Sequence, residues 1–378
     1  MAVSFWEKQN FFSFDILVIG AGIVGLSSAY YLKKKFPKLK IAILEAGFLP
    51  NGASTKNAGF ACFGSISELI EQEKSIGKEG LQKLVAKRWK GLQRLRGLLG
   101  DHTLDFQPNG GFEIFLDSDT QMAGAAQDKI SYYNALLQDI IGDKQIYSDA
   151  SSKINTFGLK NTSCLIENTQ EGQINTGKMM YALMQKTTAE GVLILNNCNV
   201  HSIKEAENGI DLLSNQGTFH AAQVLVCTNG FTSHLLPTLD IVPGRGQVLV
   251  TKPLPGLKLK GTFHYDKGYY YFRNIGNRIL IGGGRNLDYE NEETTTFGLN
   301  PKITERLQQL LLQIIYPSDK ELIAYKWSGI MGFGKTGVFP LIQPISSRLY
   351  CAVRSSGMGV AMGTELGFEA AHLMKTFH

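Results

Sequence analysis

The sequence predicts an α/β protein in which a Rossmann-type dinucleotide-binding domain is interleaved with a second domain rich in antiparallel β-structure. Three observations carry this expectation. An apolar run at residues 15–19 leads directly into Gly20-Ala21-Gly22-Ile23-Val24-Gly25 and the helix-like LSSAYYLKKKF. A second glycine turn, at residues 355–360, again joins strand-like to helix-like sequence near the other end of the chain. Between them, residues 192–230 alternate short β-type runs with turn signals, the texture of a meander, and residues 242–284 are again of β type.

The first element is a complete βαβ unit. Gly20 allows the tight turn, Gly22 lets backbone approach a pyrophosphate, and Gly25 permits close packing of the helix. The helix N-terminus contributes unpaired N–H groups and the positive end of its dipole. KIAIL, residues 40–44, makes the next buried strand and ends in Glu45, twenty residues beyond Gly25, where a carboxylate would accept hydrogen bonds from adenosine ribose hydroxyls.

Helical character follows at residues 81–99 and 121–140, on either side of a strand-like segment at residues 111–116. Another helix is expected at residues 177–191, then the meander. Residues 302–315 read as an amphipathic helix, and residues 349–377 as strand, glycine turn and final helix. No repeat, low-complexity tract or exposed linker separates these parts, so two domains would have to interleave.

Composition narrows the class. The chain has 378 residues with 43% apolar content, enough for a sizeable core. Thirty-eight basic against 33 acidic side chains leave +5, with no dense Lys/Arg block, which argues against nucleic-acid binding. The densest run, Lys33, Lys34, Lys35, Lys38 and Lys40, reads as the wet end of a helix and its turn. Five scattered cysteines without a C-x-x-C pair write neither a disulfide framework nor a zinc site, and no histidine spacing predicts a metal. A cytoplasmic protein without an integral membrane segment is expected, with Trp6, Phe11, Phe12 and Phe14 packing an N-terminal segment onto the body.

GIMGFGKT, residues 329–336, fits the phosphate-loop pattern of nucleotide triphosphatases. That loop must open into a helix. Here Gly337, Pro340 and Pro344 follow, and proline inside the required helix costs about 3 kcal/mol. The match is read as coincidental. The glycine turn at residues 355–360 is more telling, because a reduced flavin gains negative charge at its N1 and C2=O edge, and a helix N-terminus aimed there stabilises that charge. The alternative is a plain strand-to-helix turn.

Taken together, the chain resembles the D-amino-acid oxidase-like (DAO) superfamily of FAD-dependent oxidoreductases, which includes glycine, sarcosine and γ-glutamylputrescine oxidases. The resemblance spans residues 15–375 and rests on DILVIGAGIVGLSSAYYL with Glu45, GASTKNAGF, NNCNVHSI with AAQVLVCTNG, PGRGQVLVT, YYYFRNIGNRILIGGG, KWSGIMGFGKTGVFPLI and VRSSGMGVAMG. It implies an FAD-binding domain from residues 1–85, 151–235 and 325–378, and a substrate domain from residues 86–150 and 236–324. It further implies that Gly20, Ala21, Gly22, Ile23, Val24 and Gly25 cradle the pyrophosphate, with Glu45 on the ribose. Ser54, Thr55, Asn57, Ala58 and Gly59 match the loop beneath the phosphates and ring, Val200 the adenine contact, and Thr228, Asn229 and Gly230 the chain crossing the cofactor. Gly357, Met358, Gly359 and Val360 match the contact to the ring C2=O.

Three departures matter. Lys56 stands where some relatives attach flavin through histidine, and no cysteine lies near the W-x-G segment, so FAD is expected to be non-covalent. Ile330 and Met331 stand where related amino-acid oxidases carry a carboxylate-reading arginine, which argues against an α-amino acid clamped in that manner. Leu280 stands where the sarcosine oxidase branch has an oxygen-activating lysine.

Oxidation of a C–N bond by flavin needs no strong protein base, which accounts for the absence of an obvious acid–base pair. Lys56 is the candidate beside the ring. Tyr269 and Tyr271 lie on a substrate-facing strand, and Arg245 and Arg273 are candidates for a substrate anion; packing tyrosines and solvated or paired arginines are the bland alternatives. The function expected is oxidation of a small amine or amino-acid derivative to an imine, with oxygen or another carrier as electron acceptor. An FAD-dependent 2-hydroxy-acid dehydrogenase and a non-catalytic redox-sensing flavoprotein are the alternatives. A related domain acting on tRNA bases is disfavoured by the lack of a basic patch.

Overall fold

A run of apolar residues with the period of neither helix nor half-buried strand, such as ILVI at 16–19 or IAIL at 41–44, belongs in a sheet covered on both faces. The computed structural model, which describes residues 4–375, places them so. Ser13–Ile19 lies at the centre of a sheet, parallel to Gly217–Val226 on one side and to Ile41–Leu44 on the other. Leu193–Leu195 extends the sheet in parallel beyond Ile41–Leu44, and Leu349–Val353 extends it beyond Gly217–Val226, with Leu341–Pro344 antiparallel at that edge. Val200–Ala206 and Gly209–Ser214 join as an antiparallel ribbon.

Helices Ile23–Lys35 and Gly359–Leu373 pack on this sheet through a shared apolar core with the Thr176–Ala189 helix. The lysines of the 33–35 run cap neighbouring backbone: Lys33 Nζ donates to the Leu39 carbonyl, and Lys35 Nζ to the carbonyls of Ala371 and Met374 at the end of the last helix. Lys34 pairs with Glu190.

The second sheet runs Ile323–Phe333, Val242–Thr251, Arg278–Gly283, Tyr270–Ile275, Thr262–Tyr265, Gly111–Leu116, Thr162–Asn168 and Tyr147–Asp149. Its pairs are antiparallel except Thr262–Tyr265 against Gly111–Leu116, which is parallel. The Pro301–Leu310 helix closes one apolar core against it. Ile66–Leu99, bent at Gly77, closes another with Thr120–Asp128 and Ile130–Ile141.

Several expectations are corrected. Thr162–Asn168 and all of Ile323–Phe333 pair in the second sheet, although the sequence partition put residues 151–235 and 325–378 with the first. Its boundary at residue 85 falls inside the Ile66–Leu99 helix, and residues 1–3 and 376–378 lie outside the described residues. Phe5–Phe11 is a helix closed by a Ser4/Glu7 capping box, but Trp6 and Phe11 are exposed; only Phe12, stacked on Phe219 at 4.8 Å, and the buried Phe14 pack inward. The capping box satisfies amides at the start of this helix without requiring Trp6 or Phe11 to be buried. Among the described residues, no helix is long and apolar enough to cross a membrane.

The GIMGFGKT segment begins in the Ile323–Phe333 strand and ends in a turn before Leu341–Pro344. The amides of Lys335 and Thr336 donate to the carboxylate of Asp240, so the protein supplies its own anion there.

Candidate active site

The first glycine turn is shaped by contacts that only glycine allows. A Cβ on Gly25 would lie 1.9 Å from the Gly20 carbonyl oxygen, so helix Ile23–Lys35 can enter this close to the strand end only without a side chain there. Glu45, buried at the end of its strand, accepts the amide of Ala21 at 2.9 Å on one oxygen and that of Gly47 at 2.9 Å on the other. Ser54 Oγ accepts the amide of Ile23 at 2.9 Å, tying the 53–59 loop to the helix N-terminus.

At the same C-terminal edge of the parallel strands, Asn229 Oδ1 accepts the amides of Arg354 and Ser355, at 3.1 and 3.3 Å. This carboxamide holds the chain as it enters Ser356 and Gly357, both with positive φ, before the Gly359–Leu373 helix begins. Two helix N-termini thus converge on one cavity of about 960 Å³. That volume is at the upper end for ligand sites and suits a dinucleotide with a substrate beside it.

The cavity begins among Glu45, Gly47, Cys198, Asn199 and Val200 and passes the Gly20–Val24 turn and the 53–59 loop. It then passes Gly357, Met358, Gly359 and Val360 and opens into a chamber with Phe60, Tyr269, Tyr271, Phe297 and Phe333. Of the cofactor positions expected from sequence, Gly20, Gly22, Ile23, Val24, Glu45, Ser54, Asn57, Ala58, Gly59, Val200, Thr228, Asn229 and Gly357 to Val360 line it. Four do not. Ala21 serves through its amide to Glu45, Gly25 through helix packing, and exposed Thr55 through a bond to the Pro50 carbonyl. Gly230 makes room for the neighbouring strand, since a Cβ there would lie 2.4 Å from the Met331 carbonyl oxygen.

Lys56 lines the cavity with its ammonium 5.4 Å from the Phe297 ring centroid. Its carbonyl accepts the Trp327 indole N–H at 2.9 Å, and a Cβ on Gly329 would lie 3.0 Å from its Cβ, so the W-S-G segment fixes the lysine backbone. Tyr269 and Tyr271 also line the cavity. Burial pushes the Tyr271 phenol up to about 12, leaving a neutral hydroxyl near pH 7.

The arginine expectations change. Arg245 is bound to the fully buried Glu292 by two hydrogen bonds, Nε to Oε2 at 2.9 Å and Nη2 to Oε1 at 2.8 Å, and lies outside the lining. Arg273 is buried behind Gly59, where Nη2 donates to the Ile174 carbonyl at 3.0 Å; burial pulls its pKa down to about 10. Neither faces the chamber. Leu280, where an oxygen-activating lysine was considered, is buried with Ala58, Val248 and Val250.

Sequence reasoning missed a buried polar cluster on the chamber wall. His264 Nε2 lies 3.4 Å from Oε2 of Glu171, whose other oxygen accepts the amides of Phe63 and Gly64. Burial works against the imidazolium, but Glu171, with Glu68 and Glu113, outweighs it and holds the His264 pKa above its ordinary value. Cys62 completes the group, its thiol pushed well up by burial, and Cys62, Glu171 and His264 bring ligand-type atoms within 4.8 Å of one another. These residues come from three distant segments, so no spacing announced them. Arg285 and Phe333 also line the chamber and were not foreseen.

Residues 15–373 match the family model described as FAD dependent oxidoreductase, DAO. The chain is 26% identical over 294 residues to the bifunctional protein ThiO/ThiG of Synechocystis sp., covering 74% of this chain but only 40% of that protein. It is 23% identical to the sarcosine oxidase subunit beta of Rhizobium meliloti, over 96% of this chain and 84% of that one. Among solved structures, iminodiacetate oxidase from Chelativorans sp. BNC1 superposes with a TM-score of 0.74 at 19% identity, covering 95% of this chain and 94% of that one. That likeness is one of fold.

Proposed function

The chain belongs to the DAO family of FAD-dependent oxidoreductases, and from that premise we propose that it oxidises the C–N bond of a small amine or amino-acid derivative to an imine, which water hydrolyses. The observation that carries the reading is the continuity of the cavity: the dinucleotide cradle runs past the Gly359 helix start into an aromatic chamber. The residues fit the cofactor, with glycine backbone at the phosphate end, a buried carboxylate at the ribose end and a second helix N-terminus where the ring would end. FAD supplies the electron-accepting ring when bound.

The chain's own residues do the rest. Phe60, Tyr271, Phe297 and Phe333 make an apolar wall that excludes water and favours the neutral amine over its charged form. Lys56 would stand beside the ring, held by Trp327 and Gly329. Tyr271 offers a neutral hydroxyl, and His264, backed by Glu171, holds a proton on the wall. A cofactor held without a covalent link fits a lining in which Lys56 replaces histidine. The electron acceptor is oxygen or another carrier.

Product analysis tests the reaction. Turnover that releases ammonia or an amine together with a carbonyl compound agrees with it. A ketoacid formed from a 2-hydroxy acid, without release of nitrogen, would assign the site to alcohol oxidation.

A further inference from the structure

Cys62, beside His264 on the chamber wall, has no task in the oxidation of an amine. The fold nevertheless brings it to two other donors. Phe60–Ala61 pairs antiparallel with Gly172–Gln173, with Ala61 opposite Gly172, and the same register continued by one step sets Cys62 opposite Glu171 on the same face. His264 arrives from the Thr262–Tyr265 strand. The thiol sulfur, a carboxylate oxygen and a ring nitrogen then lie within 4.8 Å of one another, and all three residues are buried.

Two of the donors are held in place by their surroundings. Glu171 Oε1 accepts the amides of Phe63 at 2.9 Å and Gly64 at 3.2 Å, which leaves Oε2 facing His264. A Cβ on Gly111 would lie 2.1 Å from Oε2, so glycine there gives the carboxylate its room. His264 is only 6% exposed, and its Nε2 makes no hydrogen bond; Glu171 Oε2 stands 3.4 Å away without the alignment of one. A buried nitrogen left without a partner costs about 1–3 kcal/mol, which a ligand bound at that atom would recover.

Thiolate, imidazole and carboxylate are the donors that zinc takes. Zinc bonds of about 2.0–2.1 Å to nitrogen and about 2.0–2.2 Å to oxygen, at a tetrahedral angle, put those two atoms about 3.4 Å apart, and Nε2 and Oε2 are 3.4 Å apart here. One thiolate and one carboxylate balance a dication, while the nearby Arg88 is committed to Glu68 and the Phe63 carbonyl. Cys62 and His264 line the cavity, so a fourth position would face the chamber. Coordination sends the thiol proton, and any proton on Nε2, to solvent.

We propose that Cys62, Glu171 and His264 form a zinc site in the chamber wall, with its fourth position open to water or to a donor atom of a bound molecule. The site stands apart from the amine-oxidation reading, because metal content is measured without turnover.

The test uses FAD-loaded protein cleared of metal with a chelator, dialysed, and titrated with Zn2+ in competition with a chromophoric chelator. One zinc per chain with a Kd below about 1 µM is expected. Co2+ in place of Zn2+ should give the d–d bands of a tetrahedral site with a thiolate ligand, at wavelengths beyond the flavin absorption. Cys62→Ser and His264→Asn should each weaken zinc binding by about 100-fold or more, with a retained flavin band showing that the variants are folded. Failure of the native protein to bind zinc at micromolar concentration overturns the site, as does unchanged binding in either variant or a cobalt spectrum without tetrahedral bands. Stoichiometric zinc that both variants lose supports the site whether or not any amine bleaches the flavin.

Discussion

Replacing Glu45 by Gln removes one charge and almost no volume, so its effects can be worked from the hydrogen bonds. In the native protein one carboxylate oxygen takes the amide of Ala21 and the other that of Gly47, each at 2.9 Å. Glutamine keeps one acceptor oxygen and places an NH2 group against the second amide. One buried backbone donor then faces another donor, at a cost of about 1–3 kcal/mol to the apo fold. The remaining carboxamide would also bond ribose hydroxyls without charge assistance, a further loss of about 1 kcal/mol, or roughly five- to tenfold in FAD affinity. Denaturant unfolding of apo protein measures the first effect, and reconstitution with FAD followed by flavin fluorescence measures the second. Glu45→Gln protein with native apo stability and native FAD affinity would refute the assigned role of this carboxylate.

Other outcomes follow from the same contacts. Arg245→Ala should destabilise by about 3 kcal/mol, the low end for a broken buried pair because Arg245 keeps 14% side-chain exposure, while KM stays unchanged; Glu292→Gln in the same protein should recover part of it. A raised KM with native stability would return Arg245 to the substrate site. Lys56→Met should alter the oxidised flavin spectrum and slow flavin reduction by about tenfold or more, measured by stopped flow; no change in either removes Lys56 from the ring's surroundings. The pKa of His264 is raised in the folded protein, so its pairing with Glu171 stabilises fully below about pH 6.5 and is lost as pH rises through the folded value. Buried Glu113, also raised, titrates the same way from a lower starting value of 4.5. Thermal unfolding should therefore fall on the alkaline side of pH 6.5 in the native protein, and His264→Asn should flatten that limb; an identical slope in both excludes the pair as its source.

What could be read from sequence was local. Strand, glycine turn, helix and Glu45 lie within a short stretch, and their geometry follows from backbone sterics, so the dinucleotide unit was legible. The glycine turn at residues 355–360 was legible for the same reason, and the prolines after GIMGFGKT excluded the phosphate loop before any coordinates. Partner choice was not local. Arg245 finds Glu292 from 47 positions away, whereas Arg285 finds aromatic rings and no acid, and nothing in either neighbourhood distinguishes them. The Cys62, Glu171 and His264 group is assembled only when the Thr262–Tyr265 strand, the turn at Glu171 and the chain after Ala61 meet. Thr162–Asn168 has too short an apolar stretch to reveal which sheet it joins.

The most direct test of C–N bond oxidation in the chamber is a single anaerobic turnover of FAD-loaded protein with an N-methyl amino acid, followed in the flavin band and by assay of the carbonyl and amine products. Bleaching with about one carbonyl product per flavin reduced, either a 2-oxo acid with methylamine or formaldehyde with the demethylated amino acid, is the predicted result. Bleaching by 2-hydroxy acids alone, with no nitrogen released, would contradict it.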